Sequence, residues 1–294
     1  MPTIEPSRDD WQLMRFGLDL TIFDDLADPI WLVETAVEAE AAGWDGFFLW
    51  DHMVSARASH VTDPWIVLTA IAARTRKMSL GPMVTPLARR RMTKLARETV
   101  ALDQLSGGRL ILGVGLGAHD DSEFSAFGDE GDRRVRAQIL DESLDLLTQL
   151  WSGRPVSFEG EHLRAESEPF LPTPVQTPRI PIWVAGTWPA KRPLRRAAAW
   201  DGAFPIKAGA DFTYQMSPQE MADVLAFVDE YRTSGGHYDL VHAGLMSDDR
   251  AADSELAQRY AEVGVTWWLE HIYPGRMSPA DIREFIRLGP PRTT

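Results

Sequence analysis

The 294-residue chain contains no cysteine. That excludes disulfides, thiolate metal ligands and a cysteine nucleophile, and it fits a reducing, cytoplasmic setting. It also lacks an excess of basic charge: 30 Lys and Arg against 43 Asp and Glu leave a net charge of −13. Nucleic acid is bound by a basic face that neutralises phosphates, so no nucleic-acid partner is expected. Long apolar runs are missing as well. No stretch approaches the roughly 18 uninterrupted apolar residues of a membrane helix, and the start, MPTIEPSRDDWQLMRF, has no basic region followed by an apolar core. Neither membrane association nor a signal peptide is expected. Finally, no HxH or HxxxH spacing links any pair of the 7 histidines. His52, His119 and His271, with Asp51 and Glu270, are the only grouping a metal reading could use, and no metal is expected.

What the chain does contain is ordinary for a globular protein with a sizeable core, with 44% apolar and 25% charged residues. Its most informative stretch is Ser79 to Gly117. Two apolar runs, Met78–Val84 and Leu110–Val114, flank a segment in which Leu95, Val100, Leu102 and Leu105 can share a helical face. Ser106-Gly107-Gly108 stops that helix. Strand, helix and strand with short joints make a right-handed βαβ unit.

The same rhythm runs through the chain. Phe16–Leu20 reads as a strand, and Asp28-Pro29 opens a helix that Gly43 closes. Gly46–Trp50 is a strand buried on both faces, and Asp63-Pro64 opens the next helix. A long helix ends at Trp151. Residues 153–180 break the pattern with a small hairpin turning at Glu159-Gly160 and a proline-rich connector. Strands then follow at Ile182–Ala185, Gly202–Pro205, Asp239–Gly244 and Val265–Glu270, with helices at Ala190–Ala199, Pro218–Tyr231, Ser254–Val263 and Ser278–Leu288. Eight strand–helix repeats predict an α/β fold, a (β/α)8 TIM barrel with an insertion between the fourth helix and the fifth strand. A doubly wound open sheet is the alternative. Nothing in composition marks a boundary, so one domain over 1–294 is expected, with a loose leader (1–14) and a tail (289–294).

Barrel active sites lie at the C-terminal ends of the strands. Those ends carry Asp19, Asp51-His52, Val84-Thr85, Gly115 to His119, Gly186-Thr187-Trp188, Phe204-Pro205, Gly244-Leu245 and Glu270-His271. Asp51 and Glu270 could also serve as the carboxylate pair of a glycoside hydrolase. The glycine loop Gly113 to Ala118 fits a relaxed dinucleotide pattern, but the acidic run after it is a poor start for a helix that holds pyrophosphate. Trp50, Trp188 and Trp268 sit at or beside strand ends, and of Trp267 and Trp268 only one can face inward. Arg89, Arg90 and Arg91 form the one basic cluster, read as a solvated loop in preference to a contact with an anionic cofactor tail. The loops 118–132 and 206–217 are candidate lids.

Six segments in order, FGLDL, AEAAGWDGFFLWDH, LGPMVTPLARRR, LDQLSGGRLILGVGLG, IPIWVAG and WDGAFPI, resemble the luciferase-like flavin and deazaflavin oxidoreductases. The resemblance runs from about residue 16 to 205 and less distinctly to 288. It implies a (β/α)8 barrel whose mouth holds an isoalloxazine or deazaflavin ring against a bulge with a non-proline cis peptide, here Met83–Val84. It further implies that Asp51 and His52 stand beside the ring, that Thr85 hydrogen-bonds it, and that Gly115, Gly117, Ala118, Gly186, Thr187 and Trp188 lie near the ribityl chain and phosphate, with Lys191 and Arg192 adding charge. His52, Asp51 and Glu270 are the candidate catalytic residues, and Trp50 and Trp268 the candidate substrate pocket.

Leu116 stands where bacterial luciferase has an arginine to the FMN phosphate, and Asp before His is the deazaflavin members' pattern. The resemblance therefore implies deazaflavin (F420)-dependent hydride transfer with an apolar organic substrate, His52 or Glu270 handling the proton. A reduced-FMN monooxygenase and a non-catalytic flavin binder are the alternatives. Family members often dimerise, so a homodimer is a further expectation.

Overall fold

The computed structural model describes residues 14–55, 58–117, 123–209, 213–233, 235–247 and 249–291. The expected leader, apart from Met14, and the last three residues of the expected tail lie outside them, as do Ala118 and His119.

The strands are β1 (Arg15–Leu20), β2 (Gly46–Leu49), β3 (Ser79–Pro82), β4 (Thr85–Pro86) and β5 (Leu112–Gly115), then a hairpin of β6 (Val156–Glu159) and β7 (Arg164–Ser167). β8 (Ile182–Trp188), β9 (Gly202–Lys207), β10 (Asp239–Gly244) and β11 (Trp267–Ile272) complete the set. Between them run α1 (Pro29–Ala42), α2 (Pro64–Arg74), α3 (Met92–Ser106) and α4 (Arg133–Trp151), followed by α5 (Lys191–Ala197), α6 (Pro218–Asp229), α7 (Arg250–Glu262) and α8 (Pro279–Arg287). No helix among the described residues is long and apolar enough to cross a membrane.

Local chemistry sets the helix ends. Asp28 caps α1 by accepting from the Ile30 amide at 2.9 Å, and Asp63 caps α2 by accepting from Ile66 at 2.9 Å, each ahead of a proline at the first turn. Gly107, at φ 72°, ends α3. The buried face of α3 carries Leu95, Thr99, Val100 and Leu102, while Leu105 is exposed, so the helical face read from the sequence is corrected at that position.

The sheet order β3-β2-β1-β11-β10-β9-β8-β5-β4 is parallel between every neighbouring pair. Its ends meet: the Leu80 amide donates to the Arg109 carbonyl at 3.0 Å, and the Ile111 amide donates to that of Leu80 at 2.9 Å. The expected (β/α)8 barrel is thus formed, with β3 and β4 as one interrupted strand and the β6–β7 hairpin as the insertion. The interruption is the Met83–Val84 peptide, which is cis, as expected. Closure here demands glycine, since a Cβ on Gly81 would stand 1.8 Å from the Ile111 carbonyl oxygen.

Inside the barrel Phe48, Met83, Ile111, Trp183, Phe204, Val241, Trp267 and Leu269 pack together, and a larger core fills the space between sheet and helices. Trp267 takes the interior because Gly46 leaves room for its ring; a Cβ on Gly46 would lie 2.8 Å from it. Burying each such ring contributes roughly 2–3 kcal/mol.

Candidate active site

A cavity of about 800 Å³ opens at the C-terminal ends of the strands, the size of a cofactor pocket. Its base is apolar, formed by Met83, Val84, Ala185, Phe204 and Ala243. Gly115, Gly117, Gly186 and Thr187 bring backbone to one side, where Arg133, Arg196 and Lys207 also line the wall. Gly117 has φ 79°, a conformation that side chains disfavour, and a Cβ there would meet the Phe124 ring at 2.6 Å. On the opposite side stand Asp19, Phe23, Trp50, His52 and His271.

The corner after β2 is built from charge. Asp51 is buried, and its carboxylate accepts from Thr85 Oγ1 at 2.7 Å, from Trp65 Nε1 at 3.2 Å, from Arg89 Nη2 at 2.8 Å and from Arg90 Nη2 at 2.6 Å. Burial alone would raise its pKa, but the Arg90 and Arg89 charges and the Thr85 hydroxyl hold it below the ordinary carboxylate value. Arg89 also reaches Glu123 Oε2 at 3.3 Å, and its side chain is 2% exposed.

Glu123 in turn holds His52. Its Oε1 lies 3.0 Å from His52 Nδ1 and accepts the Met53 amide at 2.8 Å. Burial pushes this carboxyl up, and the His52 contact, the Met53 amide and Arg89 together bring it below its usual value. An ionised carboxylate only accepts, so the proton sits on His52 Nδ1, and Nε2 is the acceptor left for a reacting group.

Of the residues expected at the site, Trp50, Asp51, His52, Met83, Val84, Gly115, Gly117, Gly186 and Thr187 line the cavity. Ala118 lies outside the described residues. Thr85 is fully buried with its hydroxyl on Asp51, so it braces Asp51 rather than a ring. Trp188 ends β8 beneath the Lys191 ammonium, 4.8 Å from the ring centroid, and is not on the lining.

The placement of Trp268 is corrected: it faces outward, edge-on to His242 and Tyr260, and fills the space over Gly244. Glu270 is corrected too. It is 0% exposed, off the cavity, and accepts from the Met246 amide at 2.9 Å and from Trp268 Nε1 at 3.2 Å, with Arg276 paired to it. Strand alternation explains both, since Trp267, Leu269 and His271 take the inward positions. Glu270 therefore cannot form a facing carboxylate pair with Asp51.

The loop reading of Arg89 and Arg90 is corrected by their pairing with Asp51. Sequence reasoning also passed over Glu123, Arg133, Arg196 and Lys207. The one available signal was complementarity: an aspartate ending a buried strand needs a cation, and the next βα unit offers ARRR.

A profile of the family described as luciferase-like monooxygenase matches residues 26–261. The chain belongs to that family. This luciferase-like chain is 33% identical over 193 residues to an F420-dependent glucose-6-phosphate dehydrogenase of Nakamurella multipartita, covering 63% of this chain and 55% of that protein. It is 32% identical over 166 residues to an F420-dependent hydroxymycolic acid dehydrogenase of Mycobacterium tuberculosis, covering 55% of this chain and 45% of the relative. The chain spans about half the length of the curated relatives it matches. Among solved structures, an F420-dependent secondary alcohol dehydrogenase with an F420–acetone adduct superposes with a TM-score of 0.74 at 16% identity, over 94% of this chain and 98% of that one. At that identity the likeness shows the fold.

Proposed function

We propose that the chain is an F420-dependent oxidoreductase that moves hydride to or from an apolar organic substrate. The observation that carries this reading is His52, braced by Glu123 and set on the wall of a cavity whose floor is the Met83–Val84 bulge. The relatives named for F420 support the choice of cofactor. So does Leu116 on the lining, which offers a phosphate no charge.

The residues present fit a flat redox ring with an anionic tail. Val84, Ala185 and Phe204 offer an apolar bed, Gly117 keeps backbone where a Cβ would clash, and Arg133, Arg196 and Lys207 supply cations. When bound, the deazaflavin supplies a carbon that accepts or gives hydride. The chain does the rest. His52 Nε2 takes the proton from a substrate hydroxyl, or returns it, and Glu123 stabilises the imidazolium that forms. Arg89 keeps Glu123 ionised for that task. Phe23, Trp50 and Val54 exclude water from the reacting side.

The test is titration of the purified protein with F420 and, separately, with FMN, read by fluorescence, followed by turnover on a panel of alcohols and ketones. F420 is expected to bind more tightly than FMN, and His52→Ala to lower turnover about 100-fold or more. FMN binding with no F420 binding would replace this reading with a reduced-FMN monooxygenase. Cofactor binding without turnover of any donor would make the chain a flavin-type binder.

A further inference from the structure

The His52–Glu123 contact depends on where the chain places residue 123, and the next side chain fixes that place. Phe124 is 0% exposed and off the cavity lining. Its ring lies beside two guanidinium groups, that of Arg136 at 3.9 Å from the centroid and that of Arg89 at 5.9 Å. The face of an aromatic ring is its negative side, so both cations hold it. The ring edge takes the space that a Cβ on Gly117 would need, 2.6 Å from Phe124 and 2.9 Å from Pro86. The backbone is fastened as well. The Phe124 carbonyl accepts the Phe127 amide at 2.8 Å and the Asp129 amide at 3.0 Å.

This one ring packs against both walls of the cavity's polar half. On one wall Arg136 Nη1 donates to the Leu116 carbonyl at 3.2 Å, and Leu116 and Gly117 line the cavity. On the other, Arg89 pairs with Glu123 and Asp51. Glu123 is itself the residue before Phe124, and its Oε1 lies 3.0 Å from His52 Nδ1 and accepts the Met53 amide at 2.8 Å. Hydrogen bonds weaken steeply with length and misalignment, so a small retreat of residue 123 would release His52.

We propose that Phe124 is a positioning residue for His52: its ring wedges the Glu123 carboxylate against His52 Nδ1 and ties that contact to the glycine wall at Gly117. The proposal rests on the reading of His52 as the group that handles the proton. Shrinking the ring, or pushing on it from Gly117, lets Glu123 draw back. His52 then loses the acceptor at Nδ1, and its proton moves to Nε2, the atom the reaction needs free.

The experiment uses the full chain with 15N-labelled histidine at about pH 9, well above the ordinary imidazole range. Nitrogen shifts report which ring nitrogen carries the proton, and the spectrum of His52→Ala assigns the His52 signals. The parent is expected to hold the proton on Nδ1. Phe124→Leu and Gly117→Ala, which act on the ring from opposite sides, are each expected to move most of His52 to the Nε2 form. Phe285→Leu is the control. It also removes a buried ring from a guanidinium, that of Arg250 at 4.4 Å, but lies off the cavity, and His52 should match the parent. With F420 bound, on the alcohols and ketones that the parent turns over, Phe124→Leu is expected to lower kcat about tenfold with KM within about twofold.

His52 signals like the parent's in both variants would overturn the proposal. So would an equal shift in Phe285→Leu, since any lost ring would then suffice, or a parent with its proton on Nε2. Where Phe124→Leu does not fold, Gly117→Ala decides alone. Should F420 fail to bind, the function reading falls, while the nitrogen shifts of the cofactor-free chain still decide the part played by Phe124.

Discussion

Two corners of the barrel rim bury a carboxylate and treat it in opposite ways. After β2, Asp51 meets two guanidinium groups, a hydroxyl and an indole, and its pKa falls below the ordinary value. In β11, Glu270 meets one guanidinium, an amide and an indole; burial outweighs them, and its pKa rises. Beside Glu270, His242 in β10 is a third case. It is buried, its Nε2 has no hydrogen-bond partner among the described residues, and burial alone pushes its pKa down to about 3. The number of compensating charges, rather than burial, separates the three. The corner where two guanidinium groups meet the buried aspartate is the one that holds His52 in the cavity. In the corner with too few, between β10 and β11, Glu270 stays off the lining.

Asp51→Asn is expected to have the largest effect. It leaves Arg89 and Arg90 with a neutral partner in a buried corner, and a broken buried pair of this kind costs about 3–5 kcal/mol. Urea unfolding at pH 7 reads the loss directly. A pH series sharpens it. The native pKa of Asp51 is depressed below 3.8, so its contribution is complete above that value and is lost as pH falls through the lower native pKa. The parent should therefore lose stability over that acid range and Asp51→Asn should lose less. Parallel curves for the two proteins would show that the arginines do not set the behaviour of Asp51.

These corners also mark how far the sequence can be read. The strand–helix rhythm was legible because each helix announces itself locally, by Asp-Pro at 28–29 and 63–64 and by glycines at 43 and 107. The cis bond at Met83–Val84 and the cavity positions of Asp51, His52, Gly115 and Gly186 followed from the family's motif order. The pairing of Asp51 with Arg89 and Arg90 was not legible. It joins residues 38 and 39 positions apart, and a run of three arginines after a strand reads the same whether solvated or buried. Likewise, alternation told that Trp267 and Trp268 face opposite ways, but which faces inward depends on register. Gly46 across the barrel and Gly244 on the neighbouring strand decide it, and neither contact is local in sequence.

His242 tests the case with no compensating charge. Its native pKa near 3 lies below the ordinary 6.5, so the native state binds fewer protons than the unfolded chain between those values. Stability should be complete above about pH 6.5 and should fall by about 1.4 kcal/mol per pH unit as the pH drops below it. His242→Phe keeps a ring against Tyr260, whose centroid is 4.2 Å away, and removes the titration. Thermal melts from pH 7 to 4.5 should show the variant losing less stability than the parent across that range. Equal slopes would mean that His242 is protonated in the native protein, and burial would then not govern this corner.

Glu270→Gln should be the mildest of the three, within about 1 kcal/mol of the parent at pH 7. The reason lies in the direction of the shift. A carboxyl whose native pKa is raised above 4.5 costs stability whenever it is ionised, and that cost is relieved as pH falls toward 4.5. Glutamine keeps an acceptor for the Met246 amide and removes the buried charge, while Arg276 retains the His271 and Met246 carbonyls. The gain from the lost desolvation and the loss of the ion pair therefore nearly cancel, whereas at Asp51 two guanidinium groups tip the balance. Because Glu270 does not line the cavity, F420 binding by Glu270→Gln should match the parent. A loss at Glu270 as large as that at Asp51 would show that one arginine suffices, and the contrast between the corners would then need another cause.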